Sequence, residues 1–255
     1  MTVWGKENVL KYFNQNRSKI QDVFDSEKSI LKKIKKNDIN SVLDYGCAAG
    51  NFYTIFKKIF QKKIKYIGLD SEKKFILLAK RKWKKNKNMY FFIQKGYRIN
   101  MKSESINLTF STSVLHHVKN YKKIISELIR ISSSYIFIDS PRVHFEKDEI
   151  GKMNLSARHP DSRIKSIKKN IVSYHVVNLK KYLIFLKKNF LKNKIHEVDF
   201  FCGELSYSKE YLSFSKKLFF LTVLMKKNNK NKKKIKYSLI TKNKKISSIF
   251  KKVFC

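Results

Sequence analysis

Residues 41–140 alternate between short apolar runs and longer segments whose apolar residues recur at helical spacing. The apolar runs predict buried strands at 41–44, 64–69, 89–94, 106–110 and 135–138, and the periodic segments predict helices at 51–60, 72–80 and 121–130. Asn51 and Ser71 stand at the start of the first two helices and are predicted as their N-caps. Strands that alternate with helices predict a parallel sheet, so this part of the chain predicts a doubly wound α/β fold.

The ends of the chain follow other patterns. Apolar periodicity predicts a helix at 178–190, and strands at 195–201 and 217–225 follow it without a helix between them. Two strands joined in this way predict an antiparallel pair at the edge of the sheet. Two further helices are predicted before the first strand, around Glu7–Phe13 and Glu27–Lys36.

The most informative segment is the turn after the first strand, at residues 44–50. Asp44 ends the strand, and small residues from Gly46 to Gly50 leave room for a ligand close to the backbone. The glycine spacing does not match a dinucleotide fingerprint, because Ala48 and Asn51 stand where glycines belong. A phosphate-binding P-loop is also excluded, since its second glycine and its lysine are missing. A nucleoside cofactor of another kind is therefore expected at this turn.

The pattern Asp44-x-Gly46-Cys47-x-x-Gly50 resembles the first motif of the class I S-adenosylmethionine-dependent methyltransferases. Residues 111–118 resemble the fourth motif of that family. Asp70 ends the second strand, at the position where doubly wound folds place a carboxylate on the ribose hydroxyls. The resemblance implies a Rossmann-like, mostly parallel seven-stranded sheet with an antiparallel last strand, and S-adenosylmethionine as the cofactor.

The same resemblance implies a set of residues around the cofactor. Many members of the family have an aspartate at the end of the third strand, which meets the adenine amino group, where this chain has Tyr97. Ser111 and Ser113 are expected to shape the pocket, and Cys47 to pack beside the cofactor. The expected cofactor-binding residues are Asp44, Tyr45, Gly46, Cys47, Ala48, Gly50, Asp70, Ser71, Gly96, Tyr97, Ser111 and Ser113.

Methyl transfer from a sulfonium is a direct displacement, so alignment counts for more than acid–base catalysis. His116 and His117 follow the fourth strand and are the catalytic candidates, because imidazole exchanges protons near neutral pH. We expect only one of them to face the pocket. The alternative is that one packs under the sheet and the other orients the following helix. Asp139, Arg142 and His144 are expected on the substrate side.

A net charge of +39 suggests a polyanionic partner, but nearly all of the excess is lysine in a chain rich in residues with A- and T-rich codons. Base composition of the genome is a sufficient explanation for this excess of lysine.

The fourth-motif form resembles that of enzymes that methylate O, N or C of small molecules such as sugars, quinones and lipids. Methylation of RNA is the alternative, with nucleic acid possible but not favoured. A noncatalytic scaffold with a degenerate cofactor site is the second alternative.

These patterns divide the chain into an N-terminal helical extension (1–40), an S-adenosylmethionine-binding domain (41–226) with a substrate-side insertion (141–177), and a Lys-rich tail (227–255). A solvated, poorly ordered arm is the simplest expectation for the basic stretch after Met225. No apolar run is long enough to span a membrane, and no signal peptide is predicted. The three cysteines form no metal-binding spacing, and a cytoplasmic location is expected.

Overall fold

The computed structural model describes residues 2–154, 171–205, 217–228 and 234–255. Within them, eleven strands form one sheet and seven α-helices cover it. The strands are β1 (Ser41–Tyr45), β2 (Lys65–Asp70), β3 (Met89–Ile93), β4 (Ile106–Ser111), β5 (Ser132–Asp139), β6 (Arg142–His144), β7 (Glu149–Asn154), β8 (Ile171–Asn178), β9 (Ile195–Glu204), β10 (Phe219–Lys227) and β11 (Lys236–Ile240). The helices are α1 (Glu7–Gln15), α2 (Asp25–Leu31), α3 (Phe52–Phe60), α4 (Lys73–Lys82), α5 (Tyr121–Ile131), α6 (Leu179–Lys192) and α7 (Lys244–Phe254).

The first five strands form the parallel half of the sheet, in the order β3-β2-β1-β4-β5. Strand β1 is central, and Asp44 lies between Gly68 on β2 and Phe110 on β4. One face of the sheet packs against α2, α3 and α4, and the other packs against α5, α6 and α7. The carboxyl ends of β1, β2, β4 and β5 therefore meet at one edge, and the Rossmann-like fold class is confirmed.

The antiparallel end of the sheet also agrees with the sequence. Strand β10 runs antiparallel to β5, with Thr222 beside Asp139, and β9 runs antiparallel to β10. The sheet extends beyond the seven predicted strands. Strands β6, β7 and β8 come from the 141–177 insertion, of which residues 155–170 lie outside the described residues, and β11 adds an edge strand parallel to β9.

The C-terminal segment is more ordered than the expected solvated arm. Lys226 and Lys227 belong to β10, residues 229–233 lie outside the described part, and the chain then forms β11 and α7. Helix α7 buries Ile246, Phe250 and Phe254 against the core. Apolar residues at helical spacing thus anchor a segment whose lysines point outward.

Of the two predicted N-caps, Asn51 is at the N-cap position of α3, and Ser71 is one residue away from that of α4. The side chain of Asn51 makes no cap bond, and its amide nitrogen donates to the carbonyl oxygens of Phe13, at 2.8 Å, and Asn16, at 2.6 Å. It ties the end of α1 to the start of α3. Helix α4 is capped by Glu72, whose carboxylate accepts from the backbone of the second residue beyond it, and not by Ser71. The N-terminal extension is thereby fixed against the edge where the strands end.

Candidate functional site

The glycine turn after β1 has a conformation that requires its first glycine. Gly46 has a φ of +80°, and a Cβ atom there would lie 2.2 Å from Cγ2 of Val114. The backbone nitrogens of Gly46 and Cys47 both donate to the carbonyl oxygen of Leu69, at 2.7 and 3.0 Å. The turn is thus bound to the end of β2 on one side and covered by Val114, which follows β4, on the other.

The rest of the turn is packed in the same close manner. Gly50 has a φ of +73°, and a Cβ there would lie 2.7 Å from the ring of Phe91. Gly50 therefore serves packing and does not line the cavity described below. Burial raises the pKa of the Cys47 thiol well above its ordinary value, which makes a nucleophilic role for this sulfur unfavourable. Cys47 lies in the turn as a small packed neighbour.

Two carboxyl groups flank the turn. Asp70 accepts from the backbone nitrogens of Ala48 and Glu72, each at 2.9 Å, which leaves acceptor capacity on both oxygens. Burial raises its pKa, while those two hydrogen bonds lower it. Asp44 accepts a hydrogen bond from the hydroxyl of Tyr66, and burial raises the pKa of Asp44 to about 7. Asp70 can accept from ligand hydroxyls, whereas Asp44 can switch its charge near neutral pH.

A cavity of about 790 Å³ opens from this turn and continues along the ends of β4, β5 and β10. Its size lies in the range of roughly 300–1,000 Å³ that is usual for small-molecule sites. The N-terminal extension supplies one wall, and the ends of β9 and β10 supply another. The wall from the extension includes Trp4, Tyr12, Phe13, Asn16, Arg17, Asp22, Phe24, Asp25, Ser26 and Glu27, and the opposite wall includes Phe201, Glu204, Leu205, Phe220 and Thr222.

Two ion pairs meet at Ser113 inside this cavity. Arg17 binds Glu27 through Nη2 at 2.7 Å, and its Nη1 donates to the hydroxyl of Ser113 at 3.1 Å. On the other side, the backbone nitrogen of Ser113 donates to Oδ2 of Asp139 at 3.3 Å, and that oxygen lies 3.5 Å from Nη1 of Arg142. Burial raises the pKa of Asp139, and the neighbouring Arg142 opposes this rise.

Sequence reasoning missed Arg17 and Glu27, because both lie in the extension that precedes the recognised motifs. The signal that could have pointed to Arg17 is its residue type, since arginine is rare in this lysine-rich chain. An arginine can bind a carboxylate with two parallel bonds, which a lysine cannot do.

The structure separates the two candidate catalytic histidines. His117 lines the cavity, with Nδ1 2.8 Å from the carbonyl oxygen of Ser173 and its ring 5.0 Å from the ring of Trp4. His116 is fully buried behind it, with ring centroids 4.0 Å apart, and does not line the cavity. Of the pair, His117 is the one placed for contact with a ligand.

The other predicted residues are divided in the same way. Besides the turn and Asp70, Tyr45, Ser71 and Ser113 line the cavity, while Ser111 is buried and donates to the carbonyl oxygen of Tyr45 at 3.0 Å.

The structure does not bring Gly96 and Tyr97 to the cavity. The chain folds back after β3 because the amide of Gln94 donates to the carbonyl oxygen of Arg98 at 2.9 Å. Gln94, which was not predicted, lines the cavity instead.

The structure describes no group of three or more side chains that could hold a metal ion. In the described ranges no helix is long and apolar enough to cross a membrane.

The fold and the turn define the class as that of Rossmann-like methyltransferases. The family model of the methyltransferase domain matches residues 36–252, and the chain therefore belongs to this family. It is an S-adenosylmethionine-dependent methyltransferase, as the sequence resemblance predicted. No curated protein sequence matches the chain.

Solved structures agree at the level of fold. A methyltransferase from Aquifex aeolicus is 18% identical, with a TM-score of 0.50 over 85% of this chain and 97% of that one. The PH0226 protein of Pyrococcus horikoshii is 15% identical, with a TM-score of 0.53 over 87% and 99%. An O-methyltransferase from a Brevibacillus brevis multienzyme, solved with S-adenosylhomocysteine, is 11% identical, with a TM-score of 0.53 over 78% and 71%.

Proposed function

We propose that this enzyme transfers the methyl group of S-adenosylmethionine to an oxygen, nitrogen or carbon atom of a small molecule that binds inside the cavity. The charge of the cavity carries this proposal. Seven of the 19 acidic residues of the chain line it, and none of its lysines does so in the part that the structure describes. Two of these carboxyl groups are paired with the arginines of the cavity, and the other five leave an excess of acid, which disfavours a phosphodiester. The acidic lining residues are Asp22, Asp25, Glu27, Asp44, Asp70, Asp139 and Glu204.

The residues around the turn fit the cofactor. Gly46 lines the cavity and is held in place by Val114, and Asp70 has acceptor capacity for the two ribose hydroxyls. Gln94 lies in the cavity near Asp70, at the end of the neighbouring strand, and offers its amide oxygen to the base, because its amide nitrogen donates to the carbonyl oxygen of Arg98. When bound, the cofactor supplies a methyl group on a positively charged sulfur, which suits an acidic cavity.

We assign His117 as the group that takes a proton from an acceptor whose nucleophile carries one. The carbonyl oxygen of Ser173 can only accept, so a neutral ring bound to it carries its proton on Nδ1. The lone pair of that tautomer is then on Nε2, which is the basic atom. His116 supports the ring of His117 from behind and is not assigned a role in proton transfer.

The acceptor site is assigned to the far end of the cavity, between the extension and the ends of β9 and β10. Phe24 and Phe220 supply apolar surface there, and Thr222 lies beside Asp139. The extension (1–40) and the insertion (141–177) are thus proposed as walls of the acceptor site. The insertion contributes Arg142 to it.

A cytoplasmic location is proposed as well, because Cys47, Cys202 and Cys255 are free thiols.

Methylation of RNA is the second candidate, and a surface on β3 favours it. Tyr90 and Phe92 project from the same face of this edge strand and are 43% and 53% exposed. The ammonium of Lys65 lies 5.6 Å from the ring centre of Tyr90. Exposed aromatic rings with cations nearby are the usual platform for single-stranded nucleic acids.

The test is methylation of a fractionated extract. The purified enzyme is incubated with S-adenosylmethionine labelled in the methyl group, and with either the low-molecular-mass fraction or the RNA of the same cells. We expect label in the small molecules and none in RNA. The Asp70→Asn variant, which should bind the cofactor more weakly, serves as the control of low activity. Label that enters RNA, and that disappears when Tyr90 and Phe92 are replaced by alanine, would reverse the assignment.

A further inference from the structure

We propose that Arg17 is a positioning residue for the cofactor, although it lies in the extension, 96 positions before the residue through which it acts. This inference deepens the proposed site, but it rests on the cofactor and not on the identity of the acceptor. Arg17 holds Ser113 in an unfavourable backbone conformation, and Ser113 in turn fixes the residue that covers the glycine turn.

Ser113 has an unusual backbone conformation. Its φ is +56°, in the left-handed region that residues with a Cβ atom rarely adopt. Such a residue keeps this conformation only when its surroundings impose it. Here the hydroxyl accepts from Arg17 at 3.1 Å and the backbone nitrogen donates to Asp139 at 3.3 Å. Each ion pair therefore contributes one of the bonds that hold Ser113.

The position of Arg17 is itself fixed from several directions. Both oxygens of Glu27 accept from its Nη2, at 2.8 and 2.7 Å, and the Glu27 side chain is only 1% exposed. The guanidinium lies 5.0 Å from the ring centre of Phe24 and 4.9 Å from that of Phe52. The folded extension thus fixes the position of Arg17. The bond from Arg17 to Ser113 therefore forms only when the extension is packed in place.

The next residue carries the effect to the cofactor. Val114 covers the Cα of Gly46 so closely that a methyl group there would lie 2.2 Å from its side chain. Release of Ser113 into an ordinary conformation would redirect the backbone at Val114 and remove this cover. The glycine turn would then lose one of the two contacts that shape it for the cofactor.

The experiment measures the dissociation constant of S-adenosylhomocysteine by calorimetry. Replacing Arg17 alone would leave Glu27 as a buried unpaired charge, so the pair is removed together as Arg17→Met with Glu27→Gln. We expect binding to weaken by about tenfold, because the left-handed conformation of Ser113 is no longer imposed. Adding Ser113→Gly to this variant should restore most of the affinity, since glycine adopts that conformation freely.

A matched control is available on α5. Arg130 binds both oxygens of Glu127, at 2.8 Å each, outside the cavity lining. Arg130→Met with Glu127→Gln should lower stability without changing the dissociation constant. Unchanged binding in the Arg17 and Glu27 variant, or weak binding that Ser113→Gly does not restore, would overturn the proposal. If the wild-type protein itself fails to bind S-adenosylhomocysteine, the cofactor assignment fails and the role of Arg17 fails with it, whereas a loss confined to the Arg17 and Glu27 variant concerns Arg17 alone.

Discussion

Replacing Gly46 by alanine tests how the glycine turn is built. Alanine at this position would suffer both backbone strain and steric overlap. Gly96 allows the two effects to be measured separately, because it has a similar φ of +71° but nothing within 4 Å of the position of an added Cβ. A left-handed backbone costs a residue with a side chain about 1–2 kcal/mol. Alanine also lowers the conformational entropy of the unfolded chain, which stabilises the folded state by roughly 0.5–1 kcal/mol. Gly96→Ala should therefore lower the free energy of unfolding by about 1 kcal/mol.

Gly46→Ala carries an additional steric cost. Its φ is +80°, and the new methyl group would lie 2.2 Å from Cγ2 and 2.8 Å from Cγ1 of Val114. Overpacking of this kind costs about 1–3 kcal/mol, so the total loss for Gly46→Ala is roughly 2–4 kcal/mol.

Urea unfolding of the two variants and the wild type measures both quantities, provided that the dependence on urea is the same in all three proteins. Calorimetry with S-adenosylhomocysteine should show weaker binding for Gly46→Ala alone. If Gly46→Ala costs no more stability than Gly96→Ala, then Val114 yields freely and does not shape the turn. The inference about Arg17 would fail with it, because that inference needs Val114 as a fixed cover.

Three further predictions concern the carboxyl and thiol groups of the turn. Asp70→Asn should weaken binding of S-adenosylhomocysteine by roughly 10- to 100-fold in calorimetry, because a charged acceptor of hydroxyl bonds is lost; unchanged affinity would contradict the ribose role. Because burial raises the pKa of Asp44 from 3.8 to about 7, the folded protein keeps a proton that the unfolded chain releases in this interval. The stability of the wild type relative to Asp44→Asn should therefore fall as the pH rises through this interval, by about 4 kcal/mol at most, with no further loss above it. Urea unfolding at about pH 5 and about pH 8 covers roughly two pH units of this interval and should show a change of about 3 kcal/mol, and a pH-independent difference would contradict it. Finally, iodoacetamide at mildly alkaline pH should modify the exposed Cys255 long before the buried Cys47, as followed by mass spectrometry of peptides, and rapid labelling of Cys47 would show that the turn opens.

Features that depend on neighbouring residues could be predicted from the sequence. The strands β1 to β5, the glycine turn and the position of Asp70 all follow from short apolar runs and from the residues that end them. The antiparallel order of β9 and β10 followed from the lack of a helix between them. In each case the pattern is formed by residues that are close together in the chain, within one strand and the connection that follows it. Such a pattern can be recognised without knowledge of the fold.

Features that depend on distant contacts could not be predicted. The bond from Arg17 to Ser113 joins residues 96 positions apart, and no motif marks Arg17, although the fourth motif includes Ser113. Gln94 and Tyr97 differ by three positions, yet which of them reaches the cavity depends on how the chain folds back after β3. The strands β6 to β8 were missed for a similar reason, because β8 pairs in parallel with β6 across residues 145–170, part of which lies outside the described ranges.

The distribution of charge connects composition with function in this protein. A bias toward lysine affects every position at which a lysine is tolerated, and the exposed surface tolerates it almost everywhere. The cavity is different, because an ammonium placed there would neutralise the acidic lining and repel the positive sulfur of the cofactor. The described lining contains no lysine, and its two arginines, Arg17 and Arg142, are each paired with a carboxylate. The net charge of +39 therefore describes the surface, and the acidic cavity is the better guide to the acceptor.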